Sequence, residues 1–159
     1  MKLPKIRPAR IIPSIFLSGF LLISCNNTND GKKTLDFGRF TIEVPSTWNK
    51  VKLRGIDSYV GLIAIGETDT LTFDLGWYSN SLQESPPFTD TAIYAVIDNR
   101  KAKIVRPIRS GTGITGVYFD SVWVAGSDND RFQISGRNLK SENERLVLEA
   151  IQTLRFKNE

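Results

Sequence analysis

Short segments in which apolar and polar residues alternate most constrain how this chain can fold. In "RFTIEVP" every second residue from Phe40 to Val44 is apolar, and Pro45 ends the run. A period of two places these side chains on one face of a β-strand. "LTFDLGW", 71–77, repeats the pattern, and its apolar side, which includes Trp77, is expected in the core. The chain therefore favours a sheet with one buried face.

The connections between such segments are short and rich in turn residues. "GETDT", 66–70, joins the apolar run "YVGLIAIG", 59–66, to the next alternating segment, which predicts an antiparallel hairpin. A second hairpin is predicted around Asp98 and Asn99, because these residues tolerate the positive backbone dihedrals of tight turns. Further strands are predicted at 113–126 and 128–136, the latter with Phe132 and Ile134 facing inward. These connections indicate a largely antiparallel sheet.

The end of the chain has the pattern of an amphipathic helix. Ser141 and Glu144 have the spacing of a capping box, in which both side chains accept hydrogen bonds from backbone N–H groups of the first turn. Beyond them an apolar stripe recurs at three- and four-residue spacing, formed by Val147, Ala150, Ile151 and Leu154. The predicted fold class is α+β: an antiparallel β-sheet with a C-terminal amphipathic helix packed on one face, in a single domain over residues 37–159.

The first 24 residues have the layout of an export signal. Residues 1–10 are basic and residues 11–23 are mostly apolar. A helix of thirteen residues, the length of this apolar run, rises about 20 Å and falls short of the roughly 30 Å hydrocarbon core of a bilayer. A cleaved signal peptide is therefore favoured over a permanent transmembrane span.

The signal ends at Cys25, the single cysteine of the chain. Leu22 stands three residues before it and the small residue Ser24 directly before it, so the segment resembles the lipobox of bacterial lipoproteins. The resemblance implies that the Cys25 thiol receives a diacylglycerol group, that signal peptidase II cleaves between Ser24 and Cys25, and that acyl chains such as palmitate anchor the protein in the membrane. The alternative is a plain secretory signal or N-terminal anchor with an incidental cysteine.

The residues after the cysteine are polar and are expected to form a flexible tether over 25–36. In enterobacterial lipoproteins an Asp directly after the lipidated cysteine retains the protein in the inner membrane, whereas this chain has Asn26. The resemblance therefore implies a lipid-anchored envelope protein at the outer membrane, with its domain facing the periplasm.

The basic excess of the chain belongs to the predicted signal. The chain has 21 Lys and Arg against 17 Asp and Glu, and four of the basic residues lie in residues 1–10. Removal of residues 1–24 leaves 17 basic against 17 acidic residues, so the remaining domain is neutral. Nucleic-acid binding loses its main support, since it depends on a basic surface.

Charge is nevertheless segregated along the domain. Between Gly55 and Asn99 there are seven acidic and no basic residues. Five basic residues then follow within ten positions: Arg100, Lys101, Lys103, Arg106 and Arg109. They are candidates for an anion-binding patch that faces acidic glycans or phosphate-bearing lipid headgroups. A solvated strand that pairs with acidic neighbours is the alternative.

The order of these elements resembles a known family. "FTIEVPSTW", 40–48, a run of antiparallel strands and a last helix that ends in "AIQTLRF", 150–156, are similar to the PsbP-like fold of the photosystem II extrinsic subunit and of small DcrB-like bacterial lipoproteins. The stretches "GIDSYVG", 55–61, and "GITGVYF", 113–119, resemble a group of Bacteroidetes lipoproteins more specifically. The resemblance implies a non-catalytic binding or accessory module, and it assigns no catalytic residue, metal or cofactor.

The residue types present restrict the chemistry of the domain. The chain has no histidine, which excludes Ser-His-Asp and Cys-His nucleophiles and His-bearing metal sites. The glycines of "GTGITG", 111–116, are interpreted as a turn that enters a strand and not as a phosphate loop. "SDNDR", 127–131, is interpreted as a turn between strands, because an EF-type calcium loop needs a third oxygen where Phe132 stands.

The alternative function is an enzyme that uses carboxylates for catalysis. Glycoside hydrolysis needs only two of them, and the candidates are Asp57, Glu67, Asp69, Asp74 and Asp120. Trp48 is expected to pack at a strand end, whereas Trp123 is a candidate for sugar stacking. A carrier for an apolar ligand would require an enclosed cavity between helix and sheet.

The sequence thus favours a lipid-anchored binding module whose partner is an envelope protein or an anionic glycan or lipid, with a small glycan hydrolase as the alternative.

Overall fold

The computed structural model of the protein describes residues 31–55, 58–82, 89–123 and 131–157. These residues form ten strands, arranged in two antiparallel sheets, and one helix. In chain order the elements are β1 Lys32–Asp36, β2 Phe40–Pro45, β3 Asn49–Lys52, β4 Tyr59–Ile65, β5 Asp69–Leu75, β6 Asp90–Ile97, β7 Arg100–Pro107, β8 Ile114–Phe119, β9 Phe132–Arg137, α1 Ser141–Ile151 and β10 Arg155–Phe156. The predicted α+β class is confirmed.

The larger sheet has seven strands in the order β3-β4-β5-β9-β8-β7-β6. Both predicted hairpins are confirmed: β4 pairs with β5 up to Ile65 opposite Asp69, and β6 pairs with β7 up to Ile97 opposite Arg100. The second turn consists of Asp98 and Asn99, with φ of 50° and 60°. Both residues occupy the left-handed region, as the two-residue turns of β-hairpins require.

A smaller sheet of three strands, in the order β1-β2-β10, was not predicted. Its first strand, β1, lies inside the segment that was expected to be a flexible tether over 25–36, so the folded domain begins before residue 37. Leu35 is the buried apolar residue of β1, and one such residue gives no alternating pattern. The strand depends instead on backbone pairing with β2, from Lys32 opposite Pro45 to Asp36 opposite Thr41.

The core fills the space between the larger sheet on one side and α1 with the smaller sheet on the other. Phe132 and Ile134 face this core, as predicted. Phe40 of β2 is fully buried and packs its ring edge-to-face against Phe73 and Phe132 of the larger sheet. The predicted burial of Trp77 is wrong: β5 ends at Leu75, and Trp77 is 51% exposed beyond the strand end.

The helix begins at Ser141, and its predicted apolar stripe is buried: Val147, Ala150, Ile151 and Leu154. The predicted capping box is wrong. Lys140 is the N-cap and makes no side-chain capping bond. The Glu144 carboxylate accepts instead from Ser110 Oγ at 2.6 Å and from the Gly111 N–H at 2.8 Å. A long-range tie to the loop between β7 and β8 thus replaces the local cap.

Candidate functional site

The face of the larger sheet opposite the helix carries an open cleft of about 840 Å³. It crosses β5, β9 and β8 and is walled by the segment Ser79–Leu82 that follows β5. Most of the residues that line it are polar; they include Asn80, Tyr118, Asp120, Gln133, Ser135 and Arg137. We call this feature the sheet cleft.

Strand alternation places these side chains in the sheet cleft. Because Phe132 and Ile134 face the core, Gln133 and Ser135 point to the opposite face. The register sets Gln133 beside Tyr118 on β8, and Ser135 beside Gly116. A Cβ at Gly116 would lie 2.3 Å from the Ile134 carbonyl oxygen, so the close approach of β8 to β9 requires glycine there.

Hydrogen bonds fix the polar groups on the cleft floor. The Tyr118 hydroxyl donates to Asp120 Oδ1 at 2.9 Å, and Ser135 Oγ donates to Gln133 Oε1 at 3.0 Å. Burial, and then the hydrogen bond to Asp120, raise the pKa of Tyr118 to about 12. Tyr118 therefore remains a neutral phenol at physiological pH, suited to hydrogen bonding and not to acting as a base.

The wall of the sheet cleft is held in place by its own contacts. Ser79 Oγ donates to the Asp74 carbonyl at 3.0 Å, and the Leu82 N–H donates to Asn80 Oδ1 at 3.0 Å. Leu82 is buried with φ of 50°, in a small apolar cluster on this face of the sheet. Lys103 Nζ donates to the carbonyls of Ser81 and Leu82 at 3.2 and 3.4 Å. Local hydrogen bonds within the turn and the bonds from Lys103 thus hold the wall in place.

The five basic residues of the sequence-predicted anion patch do not share one surface. Alternation along β7 places Lys101 and Lys103 on the cleft side of the sheet and Arg100 and Arg106 on the other. Arg100 Nη1 forms an ion pair with Asp98 Oδ2 at 2.6 Å, and the Arg100 guanidinium lies over the Phe156 ring. Arg109 lies exposed in the turn after β7.

The carboxylate candidates are also dispersed. Asp57 lies outside the described residues, and Glu67 is exposed in the β4–β5 turn. Asp69 Oδ2 accepts from the Lys140 N–H at 2.9 Å and from Asn143 Nδ2 at 2.7 Å. Asp74 lies half-buried on β5. Asp120 is the one carboxylate among the described residues that line the sheet cleft.

No group of three or more acidic or cysteine side chains able to hold a metal ion occurs within the described ranges. Asp128 and Asp130, the carboxylates of the "SDNDR" segment, lie outside them. The glycines at 111–116 lead into β8, a strand, so the interpretation as a turn is confirmed. This part of the sequence has no helix after it of the kind that a phosphate loop needs.

The aromatic residues at the sheet cleft differ from those expected. Trp48 is buried, as predicted. Trp123 donates its Nε1–H to the Lys157 carbonyl at 2.9 Å, and the Arg39 guanidinium lies 5.4 Å over its ring. Trp77 and Tyr78, 51% and 68% exposed, directly precede the cleft wall instead. The polar residues Ser79, Asn80 and Ser81, which directly follow Tyr78, were the available signal for this position.

Neither a protein-family model nor a curated protein matches the sequence. No helix in the part of the chain that the structure describes is long and apolar enough to cross a membrane. Ser24 and Cys25, the residues of the predicted lipidation and cleavage site, lie outside that part.

Proposed function

We propose that this chain is a lipid-anchored protein of the bacterial cell envelope whose periplasm-facing domain binds an anionic envelope glycan in the sheet cleft without transforming it. The observation that carries the proposal is the cleft itself: about 840 Å³, open, and lined by hydroxyl, amide and guanidinium groups. Such groups form the hydrogen bonds by which a glycan is recognised.

The composition of the sheet cleft supports an anionic sugar polymer as the ligand. Exposed Arg137 lines it, and Asp120 is the one lining carboxylate among the described residues. A guanidinium binds carboxylate or phosphate groups through two parallel N–H donors. Trp77 and Tyr78, exposed beside the wall, supply aromatic faces of the kind on which sugar rings stack.

A binding role is supported over glycan hydrolysis. Both mechanisms of glycoside hydrolysis use a pair of carboxyl groups that flank the bond to be cleaved. Asp120 has no second carboxylate beside it among the described lining residues, and its Oδ1 is occupied by the Tyr118 hydroxyl. A carrier role is not supported either, since Val147, Ile151 and Phe119 belong to the packed core cluster between helix and sheet.

We further propose a distant relationship to PsbP-like and DcrB-like domains. Its support is the order of elements: an early strand ended by Pro45, a run of antiparallel strands and a single C-terminal helix followed by "LRF", 154–156. The role of that family as accessory modules agrees with a domain that binds and does not catalyse.

The anchor is tested at Cys25. We expect metabolic labelling with a palmitate analogue to mark the protein, and Cys25→Ser to abolish the label and leave the uncleaved precursor. The thiol is the nucleophile for thioether formation, which serine does not replace. Normal maturation of the Cys25→Ser variant would falsify lipidation.

The sheet cleft is tested by isothermal titration with muropeptides and with the core oligosaccharide of lipopolysaccharide. We expect Arg137→Ala to weaken binding of the recognised glycan about tenfold, as loss of a charged hydrogen bond costs about 1.5 kcal/mol or more. Arg54→Ala, at an exposed arginine outside the cleft lining, is the matched control. Equal affinities of both variants for the glycan would show that the sheet cleft is not the binding site. Release of new reducing ends from the glycan would show that the protein is a hydrolase instead.

A further inference from the structure

The chain enters the folded domain at a defined end. The Gly31 carbonyl accepts from the Ser46 N–H at 2.7 Å, and Lys32 stands opposite Pro45 at the end of β2. Lys33 Nζ donates to Asn49 Oδ1 at 3.2 Å, which places the start of β3 at the same end. We call this end of the domain the anchor end, because the segment from Cys25 leads into it.

The loop between β7 and β8 lies at the anchor end too. Asn49 pairs with Ala64 beside the β4–β5 turn, and Asp69, the first residue of β5 after that turn, accepts from the Lys140 N–H at the start of α1. Ser110 Oγ in turn lies 2.7 Å from Ser141 Oγ, within hydrogen-bonding distance. The turn at Asp98 and Asn99 lies at the opposite end, where Asp98 Oδ2 accepts from the N–H of Phe156.

This loop presents an apolar side chain between two cations. Ile108 is 68% exposed and lies between the exposed residues Arg106 and Arg109. The Ile108 N–H donates to the Thr89 carbonyl at 2.8 Å, and the following residues are held by Glu144, so the backbone that presents Ile108 is fixed. An apolar side chain flanked by basic ones suits the interface of a membrane that contains anionic lipids.

A groove of about 700 Å³ runs beside Ile108, between α1 and the ends of β6 and β7. Pro107, Ile108 and Leu148 supply its apolar lining, and Arg106 and Arg145 supply cations. Exposed Glu67 and Glu142 also lie at the anchor end, but so do exposed Lys32 and Lys140, so these acidic residues do not offset the cations of the β7–β8 loop.

The length of the tether restricts which end can reach the bilayer. Gly31 lies six positions after Cys25, and six extended residues span at most about 22 Å. Strands β6 and β7, which run from the anchor end to the Asp98–Asn99 turn, have eight residues each, which places the opposite end about 24 Å from the anchor end. With the opposite end on the bilayer, Gly31 would stand beyond the reach of the tether.

We infer that the anchor end docks on the headgroup layer of the membrane that holds the acyl chains, with Ile108 inserted and Arg106 and Arg109 bound to anionic phospholipid headgroups. This inference rests on the proposed lipid anchor at Cys25. It fixes the orientation of the domain, with the Asp98–Asn99 turn pointing away from the membrane.

The test measures depth in the bilayer on the full lipidated chain. Ile108→Cys is labelled with a nitroxide, and the chain is reconstituted in vesicles of equimolar phosphatidylethanolamine and phosphatidylglycerol. Because Cys25 is consumed by the thioether, the new cysteine is the single free thiol. Val96→Cys is the matched control, since Val96 is β-branched, 71% exposed and beside the opposite turn. Circular dichroism verifies the fold of both variants.

We expect the label at position 108 to lose accessibility to a water-soluble nickel complex, and the label at position 96 to keep it. Arg106→Gln together with Arg109→Gln, or vesicles of phosphatidylcholine alone, should restore accessibility at position 108. Equal nickel accessibility at both positions, with acyl chains found on Cys25 by mass spectrometry, would overturn the docking and leave the anchor intact. Absence of acyl chains on Cys25 in the same sample would overturn the anchor, and the docking with it.

Discussion

At the scale of single residues, the negative charge of Asp74 destabilises the fold. It lies half-buried on β5, between Val60 and Gln133 of the neighbouring strands. Burial raises the pKa of the Asp74 carboxyl, and the nearby Ser58 hydroxyl offsets only part of that effect. The native state therefore holds the proton more tightly than the unfolded chain does, so ionisation of Asp74 lowers the stability of the fold.

We expect Asp74→Asn to raise the free energy of unfolding at neutral pH, because the amide has the same shape and no charge to bury. The gain should grow from about pH 4, where the unfolded carboxyl ionises, up through the raised native pKa, and should be absent below about pH 3. Urea titrations across this range measure it. Glu67→Gln, at an exposed turn position, is the control. A gain of equal size at all pH values would show that charge is not its cause.

Single residues also show where sequence reasoning reaches its limit. Trp77 continues the period of the buried side of β5, yet the strand ends two residues earlier and leaves it exposed. The basic residues from Arg100 to Arg109 are neighbours in sequence, but alternation along β7 separates them onto two faces. Trp77 was misplaced because a hydropathy pattern does not show where a strand ends. The basic residues separate because nearness in sequence does not place side chains on the same face of a strand.

At the scale of elements, Glu144 joins α1 to the β7–β8 loop. It is 8% exposed, and its two carboxylate oxygens accept from Ser110 Oγ and the Gly111 N–H. The 33 positions between Gly111 and Glu144 make this a tertiary contact. The sequence pattern suggested a local cap for the same side chain, because the spacing of a capping box carries no information about a loop elsewhere in the chain.

We expect Glu144→Ala to lower the free energy of unfolding by about 1–3 kcal/mol, because the N–H of Gly111 then loses its partner in a part-buried position. Glu142→Ala changes the same residue type in the same helical turn at an exposed position and should stay within about 0.5 kcal/mol. Urea unfolding followed by circular dichroism compares the two. Equal losses would mean that the charge near the helix start, and not the tie to the loop, is what matters.

Elements that depend on local pattern were predictable, and those that depend on pairing were not. The β4–β5 and β6–β7 hairpins and the buried stripe of α1 follow from periodicity and turn residues within one segment. By contrast, β1 has one buried apolar residue, β3 has none, and β10 is two residues long. These three strands exist because a neighbouring strand pairs with their backbone.

At the scale of the whole molecule, the sheet cleft follows from strand order. β9 lies between β5 and β8 in the sheet, although β6, β7 and β8 separate β5 from β9 in the sequence. Alternation alone indicates that Gln133 and Ser135 face away from Phe132. It does not indicate that Tyr118 and Thr72 become their neighbours. The candidate site was for this reason beyond reach from the sequence.

The two sheets are joined by a cluster of phenylalanines, with Phe40 at its centre. Phe40 is fully buried, and its ring lies 4.8 to 6.3 Å from those of Phe37, Phe73, Phe132 and Phe156. Phe37, Phe40 and Phe156 belong to or flank the smaller sheet, whereas Phe73 and Phe132 belong to the larger one. The smaller sheet is thus held to the larger one through this cluster.

We expect Phe40→Ala to lower the free energy of unfolding of the whole domain by about 3–5 kcal/mol, as large truncations in a packed core do. Tyr94→Ala, at a side chain that is 80% exposed, should stay within about 0.5 kcal/mol. Because the cluster belongs to both sheets, fluorescence of buried Trp48, measured with Trp77 and Trp123 replaced by Phe, and far-ultraviolet circular dichroism should report the same urea midpoint in the variant. If Trp48 became exposed at a lower urea concentration than the one that abolishes the sheet signal, the smaller sheet would be an independent unit, and the two sheets would not form one cooperative core.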